Sequence, residues 1–290
     1  MIEVTVETLN PTREVYWNVS SPWLMYVLLI PTLLVFGYGL YRHYRFWRLG
    51  LPEKRFDCIV QRLRGLLVYA IGQLRLFKNS YDGFFHIIVF SSFGVLLIGT
   101  LVVMIQEDFG LPILQGKFYL YFQSLTLDIF GFFAMAGILM AVYRRYVLKP
   151  ARLNNRWQDA AILGSLLLIL LTGFMIEGLR IGITGDPWAK WSPVGLFTSN
   201  VFGALLPARA IAPLHAFLWW FHLLLVFVLI AWLPYSKLLH IFTATANIYF
   251  RSLAPNGAML KPMDTEAAAY GVNSLDQFTW KDLLDLECDV

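Results

Sequence analysis

Charged residues and cysteines are scarce in this 290-residue sequence. Asp, Glu, Lys and Arg make up 14% of the residues and hydrophobic residues 58%, with a mean hydropathy of +0.60. That balance excludes a soluble globular protein. The two cysteines, Cys58 and Cys288, form no CxxC pair, which excludes a disulfide framework and a cysteine-ligated iron–sulfur cluster within this sequence. The polar first twenty residues lack the pattern of a removable signal peptide. The sequence therefore indicates an integral membrane protein.

Five apolar runs are each near the twenty residues that cross a bilayer as a helix. They are Trp23–Tyr41, Phe84–Ile105, Phe122–Val142, Ala160–Ile181 and Pro213–Leu239. We predict an all-α membrane protein, a five-transmembrane-helix bundle, with a membrane domain over residues 1–250. The less apolar residues 251–290 are predicted to form a cytoplasmic tail with one short helical stretch, Thr279–Leu286. No internal repeat stands out.

Basic residues indicate the orientation of the bundle. The connection 42–83 carries nine Lys and Arg against three acidic residues, and 143–157 carries five against none. The positive-inside rule therefore places the N-terminus outside the cell's inner membrane and the C-terminus in the cytoplasm. Within the first connection, residues 56–77 are predicted to form an amphipathic helix with arginines opposite its apolar side, lying along membrane lipid or a partner. Residues 182–213 are expected to cap the outer end.

Four histidines suggest a haem protein. His215, His222 and His240 follow one another at intervals of seven and 18 residues. On a continuous helix these would form one stripe, with His222 and His240 about 27 Å apart. A histidine in hydrocarbon needs a partner, and haem iron is a common one. His86, in the second run, has the same predicted depth as His240, as bis-histidine ligation requires. The alternative is that these histidines bond to backbone carbonyls or lie at the membrane surfaces.

The fifth run resembles a known family. It reads FHLLLVFVLIAWLPYSKLLHIFTATANIYFRSL and is similar to the last span of the respiratory nitrate reductase gamma subunit, a membrane cytochrome b. The FHI of the second run and LPILQGK at 111–117 also fit that family. The resemblance implies a bundle of the gamma-subunit type with two stacked b haems. It implies that His86 and His240 bind the inner haem and His222 the outer one.

One position departs from the family pattern. The family has a second histidine ten residues after the position of His86, where this sequence has Leu96. Three alternatives follow: Met104 ligates the outer haem, His215 replaces His222, or the outer haem is absent. One or two haem b groups are therefore expected. His43, in the basic stretch YRHYRFWR, is predicted to be a solvated residue at the membrane surface.

The tail resembles a narrower group. Its SLAPNGAMLKPMD and FTWKDLLDL segments are similar to those of heterodisulfide reductase-related proteins and electron-transfer flavoprotein:menaquinone oxidoreductases, in which an iron–sulfur domain follows. Here the sequence ends at CDV, so that domain is expected as a separate polypeptide or is missing by truncation. The resemblance implies a cytoplasmic iron–sulfur protein or electron-transfer flavoprotein as partner, and menaquinone as substrate.

The combined interpretation is a quinone-linked oxidoreductase subunit. Candidate quinone contacts are Lys117, Glu177 and Arg180, although Glu177 and Arg180 also have the spacing of an ion pair on one helix face. Electron flow in either direction fits the family, and the tail favours quinone reduction. A non-redox membrane anchor is the alternative function. A histidine-based transporter would show broken helices and inverted repeats, which the sequence does not suggest. No feature indicates nucleic-acid binding.

Overall fold

The computed structural model describes residues 10–78, 80–151, 153–254 and 274–287. These residues are mainly helical, and the only strand-like pairing among them is an isolated bridge between Leu51 and Thr279. Five helices are long and apolar enough to cross a membrane. We call them α1 (Leu24–Trp47), α3 (Ser80–Phe109), α4 (Gly116–Leu148), α5 (Trp157–Thr184) and α7 (Ala208–Trp232). The predicted all-α, multi-pass membrane fold is confirmed.

Four shorter helices complete the described chain. They are α2 (Ile59–Gly65), α6 (Pro193–Leu205), α8 (His240–Phe250) and α9 (Trp280–Leu286). The chain divides into two compact units. Unit one comprises Met1–Ile30 with Asn79–Leu229, and unit two comprises Pro31–Lys78 with Ile230–Val290.

The core of unit one includes a cluster between α4 and α5. Ala134, Ile138 and Leu170 are buried together there. Their small and branched side chains let the two helix backbones approach closely, which drives helix packing where lipid replaces water.

Helix α6 lies within residues 182–213, which we predicted to cap the outer end of the bundle. It begins with Pro193 at its first turn, where a missing N–H costs nothing. The Asp128 carboxylate of α4 then accepts hydrogen bonds from the backbone N–H groups of Val194 and Gly195, at 2.8 and 2.9 Å. The carboxylate thus satisfies two groups that a helix start leaves unpaired. The sequence prediction missed this helix because its cap lies 65 residues earlier in the chain.

The fifth span is interrupted, contrary to the prediction of one continuous helix to Leu239. Helix α7 ends at Trp232, and a 3₁₀ turn, Leu233–Tyr235, follows. Ser236 is then extended, with φ −125° and ψ 173°. A second 3₁₀ turn leads into α8 at His240. Pro234 lacks the N–H that would continue the helix. The predicted stripe joining His222 to His240 is therefore wrong, since turns cannot be counted across Ser236.

In unit two, α2 is shorter than predicted and continues only as a π-helical turn over Leu66–Ile71. Ile59, Leu63 and Leu67 are exposed, as expected for a membrane-facing side. Arg62, which we placed on the solvated side, is instead 2% exposed. Its guanidinium binds backbone carbonyls of unit two, so the arginines do not form one polar face.

The predicted helical stretch near the end of the chain is confirmed as α9. Thr279 caps it: its hydroxyl oxygen accepts from the N–H of Asp282 at 3.2 Å, while the Asp282 carboxylate accepts from the N–H of Thr279 at 3.0 Å. This reciprocal capping box explains why a helix of only seven residues forms. Leu283 and Leu284 are buried within unit two.

Candidate functional site

His222 lies in unit one and is held in one tautomer. Its Nδ1 atom is 2.8 Å from the hydroxyl of Thr172 on α5. That hydroxyl donates its own hydrogen to the carbonyl groups of Leu168 and Ile169, at 2.8 and 3.0 Å, so its oxygen accepts from His222 Nδ1–H. The imidazole therefore carries a lone pair on Nε2. Metal-bound histidines have this arrangement, with the second nitrogen hydrogen-bonded.

Gly173 and Leu96 bear on the surroundings of His222. A Cβ atom added at Gly173 would lie 3.6 Å from His222 Cε1, which is ordinary contact distance. Leu96, at the position of the family's second histidine, packs instead against the apolar cluster of Ala134, Ile138 and Leu170. His222 therefore has no partner ligand at position 96, because a leucine side chain cannot bind iron.

His240 has a comparable arrangement in unit two. Its Nδ1 atom is 2.7 Å from the carbonyl oxygen of Lys237. A carbonyl only accepts hydrogen bonds, so the proton is on Nδ1 and the lone pair is on Nε2. The 3₁₀ turn after Ser236 points this carbonyl at the ring.

His86 lies in α3 of unit one. Of the small residues that follow it, Gly94 faces open space, since a Cβ atom there would meet nothing within 4 Å. Ser91 is exposed, and its hydroxyl donates to the carbonyl of Ile87 at 2.8 Å. Ser92 is 1% exposed. Of the three, Gly94 and Ser91 leave room for a flat macrocycle, whereas Ser92 belongs to the packed interior.

The donor set suits haem better than a bare metal ion. Among the residues that the structure describes, no three His, Cys, Asp or Glu side chains converge to hold a metal. A macrocycle supplies four nitrogen ligands itself and needs only one or two axial imidazoles. His222 in unit one and His240 in unit two each have a hydrogen-bonded Nδ1, so each can supply one such imidazole.

A polar cavity of about 230 Å³ lies in unit one, at the end of α5 that the charge pattern predicts to face outward. Its lining residues are Thr12, Arg13, Glu14, Trp17, Arg180, Thr184, Asp186 and Pro187. Burial lowers the pKa of Arg13, and the positive charge of Arg180 lowers it further. Arg180 Nη1 donates to the Asp186 carboxylate at 2.7 Å, while its buried Nε has no hydrogen-bond partner. The cavity thus has two arginines and two carboxylates, Glu14 and Asp186, of which Asp186 is paired with Arg180.

His215 lies behind the Trp17 wall of this cavity. The two rings meet edge-on with centroids 4.9 Å apart. His215 is 2% exposed, and its Nδ1 atom has no hydrogen-bond partner. An unpaired imidazole nitrogen in the interior is costly, so it indicates a group with a role beyond packing.

Of the three residues predicted to contact quinone, only Arg180 lines the cavity. Arg180 lines the cavity, and its carboxylate partner is Asp186, where the sequence also allowed Glu177. Glu177 packs against α6, because a Cβ atom on Gly195 would lie 2.8 Å from the Glu177 Cδ. Lys117 is exposed and is not among the residues that line the cavity.

Several residues of this region were missed in the sequence. Arg13 and Trp17 lie in the polar stretch before α1. The only prediction drawn from that stretch was that it is not a removable signal peptide. Thr172 lies within the fourth apolar run, where nothing in the sequence distinguishes it. Its role as the hydrogen-bond partner of His222 is visible only in the structure. An arginine followed four residues later by tryptophan, next to a membrane helix, was the available signal.

The chain is similar in sequence to several known proteins. The model of the family described as "Nitrate reductase gamma subunit" matches residues 79–254. "EtfAB:quinone oxidoreductase" of Syntrophomonas wolfei is 34% identical over 290 residues, covering 96% of this chain and 40% of that protein. "Probable iron-sulfur-binding oxidoreductase FadF" of Bacillus subtilis is 25% identical, covering 92% and 38%.

A third relative matches a smaller part of the chain. It is one of the subunits of the dihydromethanophenazine:CoB–CoM heterodisulfide reductase of Methanosarcina acetivorans, and it is 29% identical over 189 residues, covering 62% of each chain. The chain spans about two fifths of the length of the first two relatives. No solved structure matches it.

Proposed function

This chain belongs to the nitrate reductase gamma subunit family, and we propose that it is the membrane cytochrome b part of a quinone-linked oxidoreductase. It would carry electrons between a cytoplasmic iron–sulfur protein or electron-transfer flavoprotein and menaquinone. The relatives similar to both the membrane span and the tail are those that the sequence resemblance indicated. The observation that carries the proposal is the hydrogen bond that fixes the proton of His240 on Nδ1.

In this proposal His86 and His240 would hold one haem b. When bound, the haem supplies reversible one-electron chemistry. The chain contributes the rest: the Lys237 carbonyl makes the His240 imidazole more basic and fixes its orientation. The apolar helices exclude water and lower the local dielectric, which affects the energy of the charged oxidation state.

His222 could bind a haem iron from one side, but position 96 supplies no ligand for the other side. Thr172 holds its ring in the correct tautomer, but Leu96 is no ligand. The proposal therefore counts one haem held from two sides. A second haem at His222 requires another residue opposite it, and His215 cannot be that residue, because both lie on α7 two turns apart and project the same way.

The cavity of Arg13 and Arg180 is the proposed quinone site. Guanidinium N–H groups donate to carbonyl oxygens, so the two arginines suit a quinone ring with its two carbonyls. Reduction of a quinone to a quinol takes two electrons and two protons, and oxidation releases them. Asp186, at the cavity wall, and the buried His215 are groups that can take up or deliver those protons. Trp17 offers an aromatic face to the ring.

His222 lies inward of this cavity along α5, since its partner Thr172 is on that helix. Thr172, its partner, precedes Arg180 by eight residues on α5, about 12 Å along the helix axis. A redox group at His222 would thus lie between the inner end of unit one and the cavity.

The experiment is rapid-mixing reduction of the purified full chain by a reduced naphthoquinone, followed at the haem Soret band. We expect a haem spectrum that the quinol reduces. Arg180→Leu should slow reduction about tenfold or more at subsaturating quinol, because a charged hydrogen bond to the substrate is lost. Arg209→Leu is the matched control, an exposed arginine at the start of α7, and should behave as wild type.

The outcomes separate the alternatives. Colourless protein would contradict the cytochrome proposal and support the non-redox anchor. Haem that the quinol does not reduce would leave the cytochrome but remove quinone as its substrate. Equal effects of Arg180→Leu and Arg209→Leu would remove the cavity as the site.

A further inference from the structure

One face of α1 contacts the interruption in the fifth span. Four residues at successive intervals of four share this face, because residues at that spacing lie on one side of a helix. We call them the α1 stripe: Val35, Gly39, His43 and Trp47. All four belong to unit two, as do the interruption and the end of the described chain.

The first two residues of the α1 stripe hold the turn itself. The hydroxyl of Tyr235 donates to the carbonyl of Val35 at 2.9 Å. A Cβ atom on Gly39 would lie 2.6 Å from the Cβ of Pro234, a distance that real atoms do not adopt. Glycine at position 39 therefore allows the proline turn to rest directly on the α1 backbone.

His43 joins the turn to the C-terminal segment. Its Nε2 atom is 2.9 Å from the carbonyl oxygen of Pro234, and its Nδ1 atom is 2.8 Å from the Glu287 carboxylate. Trp47 Nε1 donates to the other carboxylate oxygen at 2.7 Å. A carbonyl and a carboxylate both accept hydrogen bonds, so each ring nitrogen of His43 faces an acceptor. His43, which the sequence predicted to be solvated at the membrane surface, is thus partly buried and connects two segments of the chain.

Glu287 is held in place by a separate interface. The N–H of Leu51 donates to the carbonyl of Phe278 at 2.7 Å, and the N–H of Trp280 donates to the carbonyl of Leu51 at 3.0 Å. Lys281 Nζ donates to the side chain of Asn247 on α8 at 2.7 Å. The C-terminal segment, residues 274–287, is therefore fixed to the chain just after α1 and to α8, independently of His43.

The turn leads directly to His240. The Ser236 hydroxyl oxygen accepts from the N–H of Leu238 at 3.2 Å, which starts the last turn before the helix. That turn presents the Lys237 carbonyl to His240 Nδ1. Only five residues lie between Pro234 and His240, so displacement of the Pro234 carbonyl would move the group that orients the imidazole.

We propose that His43 is a positioning residue for His240, and that Glu287 makes this positioning depend on the C-terminal segment. His43 pins the Pro234 carbonyl, the pinned turn fixes the Lys237 carbonyl, and the fixed carbonyl orients the His240 ring. A partner that binds or displaces residues 274–287 would thereby alter the electron affinity of a group held by His240. The second half of this inference rests on the proposed function.

The test compares His43→Leu, Glu287→Gln and the double variant in the full chain. The control is Asp276→Asn, which changes an exposed acidic residue in the same segment. The first readout is hydrogen–deuterium exchange of residues 233–250. The second is the midpoint potential of the haem. We expect His43→Leu to speed exchange at residues 236–240 about tenfold or more, because the hydrogen bond to the Pro234 carbonyl is lost.

The haem potential should shift in the same variant, and Glu287→Gln should change both readouts in the same direction by less. The double variant should match His43→Leu alone, since Glu287 acts through His43. Unchanged exchange in His43→Leu and Glu287→Gln would overturn the proposal. Faster exchange with an unchanged potential would reduce His43 to a structural residue and overturn the positioning role. If wild type binds no haem, the proposed function fails, while exchange still decides whether His43 holds the turn. If His43→Leu does not fold, Glu287→Gln alone decides.

Discussion

Arg62 is expected to fasten α2 to the end of α8. Its guanidinium donates to the carbonyls of Tyr249 and Arg251, at 2.8 and 3.0 Å, and to the carbonyl of Asp57 at 2.7 Å. A hydrogen bond from a charged group contributes about 1.5 kcal/mol or more. The two bonds to the α8 end therefore give about 3 kcal/mol, which corresponds to about a hundredfold in the opening of α2, at about 1.4 kcal/mol per tenfold.

Limited proteolysis measures this opening. Arg62→Ala should expose the segment around Phe56 to chymotrypsin, with cleavage about a hundredfold faster than in wild type when opening precedes cutting. Arg64→Ala is the matched control, an exposed arginine two residues further along, and should cleave as wild type. Equal cleavage of the two variants would refute the reasoning, because it would show that the buried guanidinium contributes nothing to α2 docking.

The same site gives a pH dependence. The hydrogen bond from Arg62 lowers the pKa of the Asp57 carboxyl. A carboxyl with a depressed pKa in the folded state stabilises that state above its unfolded pKa of about 4, and the contribution is lost as pH falls through the folded value. The Tm difference between wild type and Asp57→Asn should thus be constant from neutral pH down to about 4 and shrink below it. A difference that does not change on acidification would contradict the assignment.

Two packing predictions concern unit one. Gly178→Val should lower the unfolding free energy by about 1–3 kcal/mol in thermal denaturation, because a Cβ atom there would lie 2.3 Å from Thr198 Oγ1. The control is Gly164→Ala, because a Cβ atom at position 164 would meet nothing within 4 Å. This variant should be as stable as wild type or more stable. A larger loss of stability in Gly164→Ala than in Gly178→Val would contradict the packing at Gly178. Asp128→Ala should cost about 1 kcal/mol and speed exchange at the first turn of α6 through loss of its cap; unchanged exchange at Val194 would show that the cap is dispensable.

The five spans were predictable because bilayer thickness fixes their length and apolarity is a local property. The interruption at Pro234 was not, although the proline was visible, because prolines are tolerated in membrane helices when neighbours satisfy the freed backbone groups. Here His43, 191 residues away in sequence, does so. Contacts between such distant positions leave no periodic pattern in a single sequence.

The candidate site was predictable to a similar degree. The histidines were evident because imidazole is rare and costly in an apolar run, whereas their partners, Thr172 and the Lys237 carbonyl, are ordinary groups. The outer cavity was only half visible: Arg180 interrupts an apolar helix, but Arg13 lies in a polar segment where an arginine is unremarkable. His43 was misassigned for the same reason, since its basic surroundings suggested solvent.

The most direct test is the haem-to-protein ratio of the purified chain, by pyridine haemochrome against total amino acid, in wild type and in His240→Ala. One haem per chain that is lost in His240→Ala is the predicted result, and it makes His222 a residue without iron. A ratio near two that falls to one would show a second haem at His222, whose other ligand comes from a position other than 96. A wild-type chain without haem, or a ratio that His240→Ala leaves unchanged, would contradict the assignment of His240 as a haem ligand.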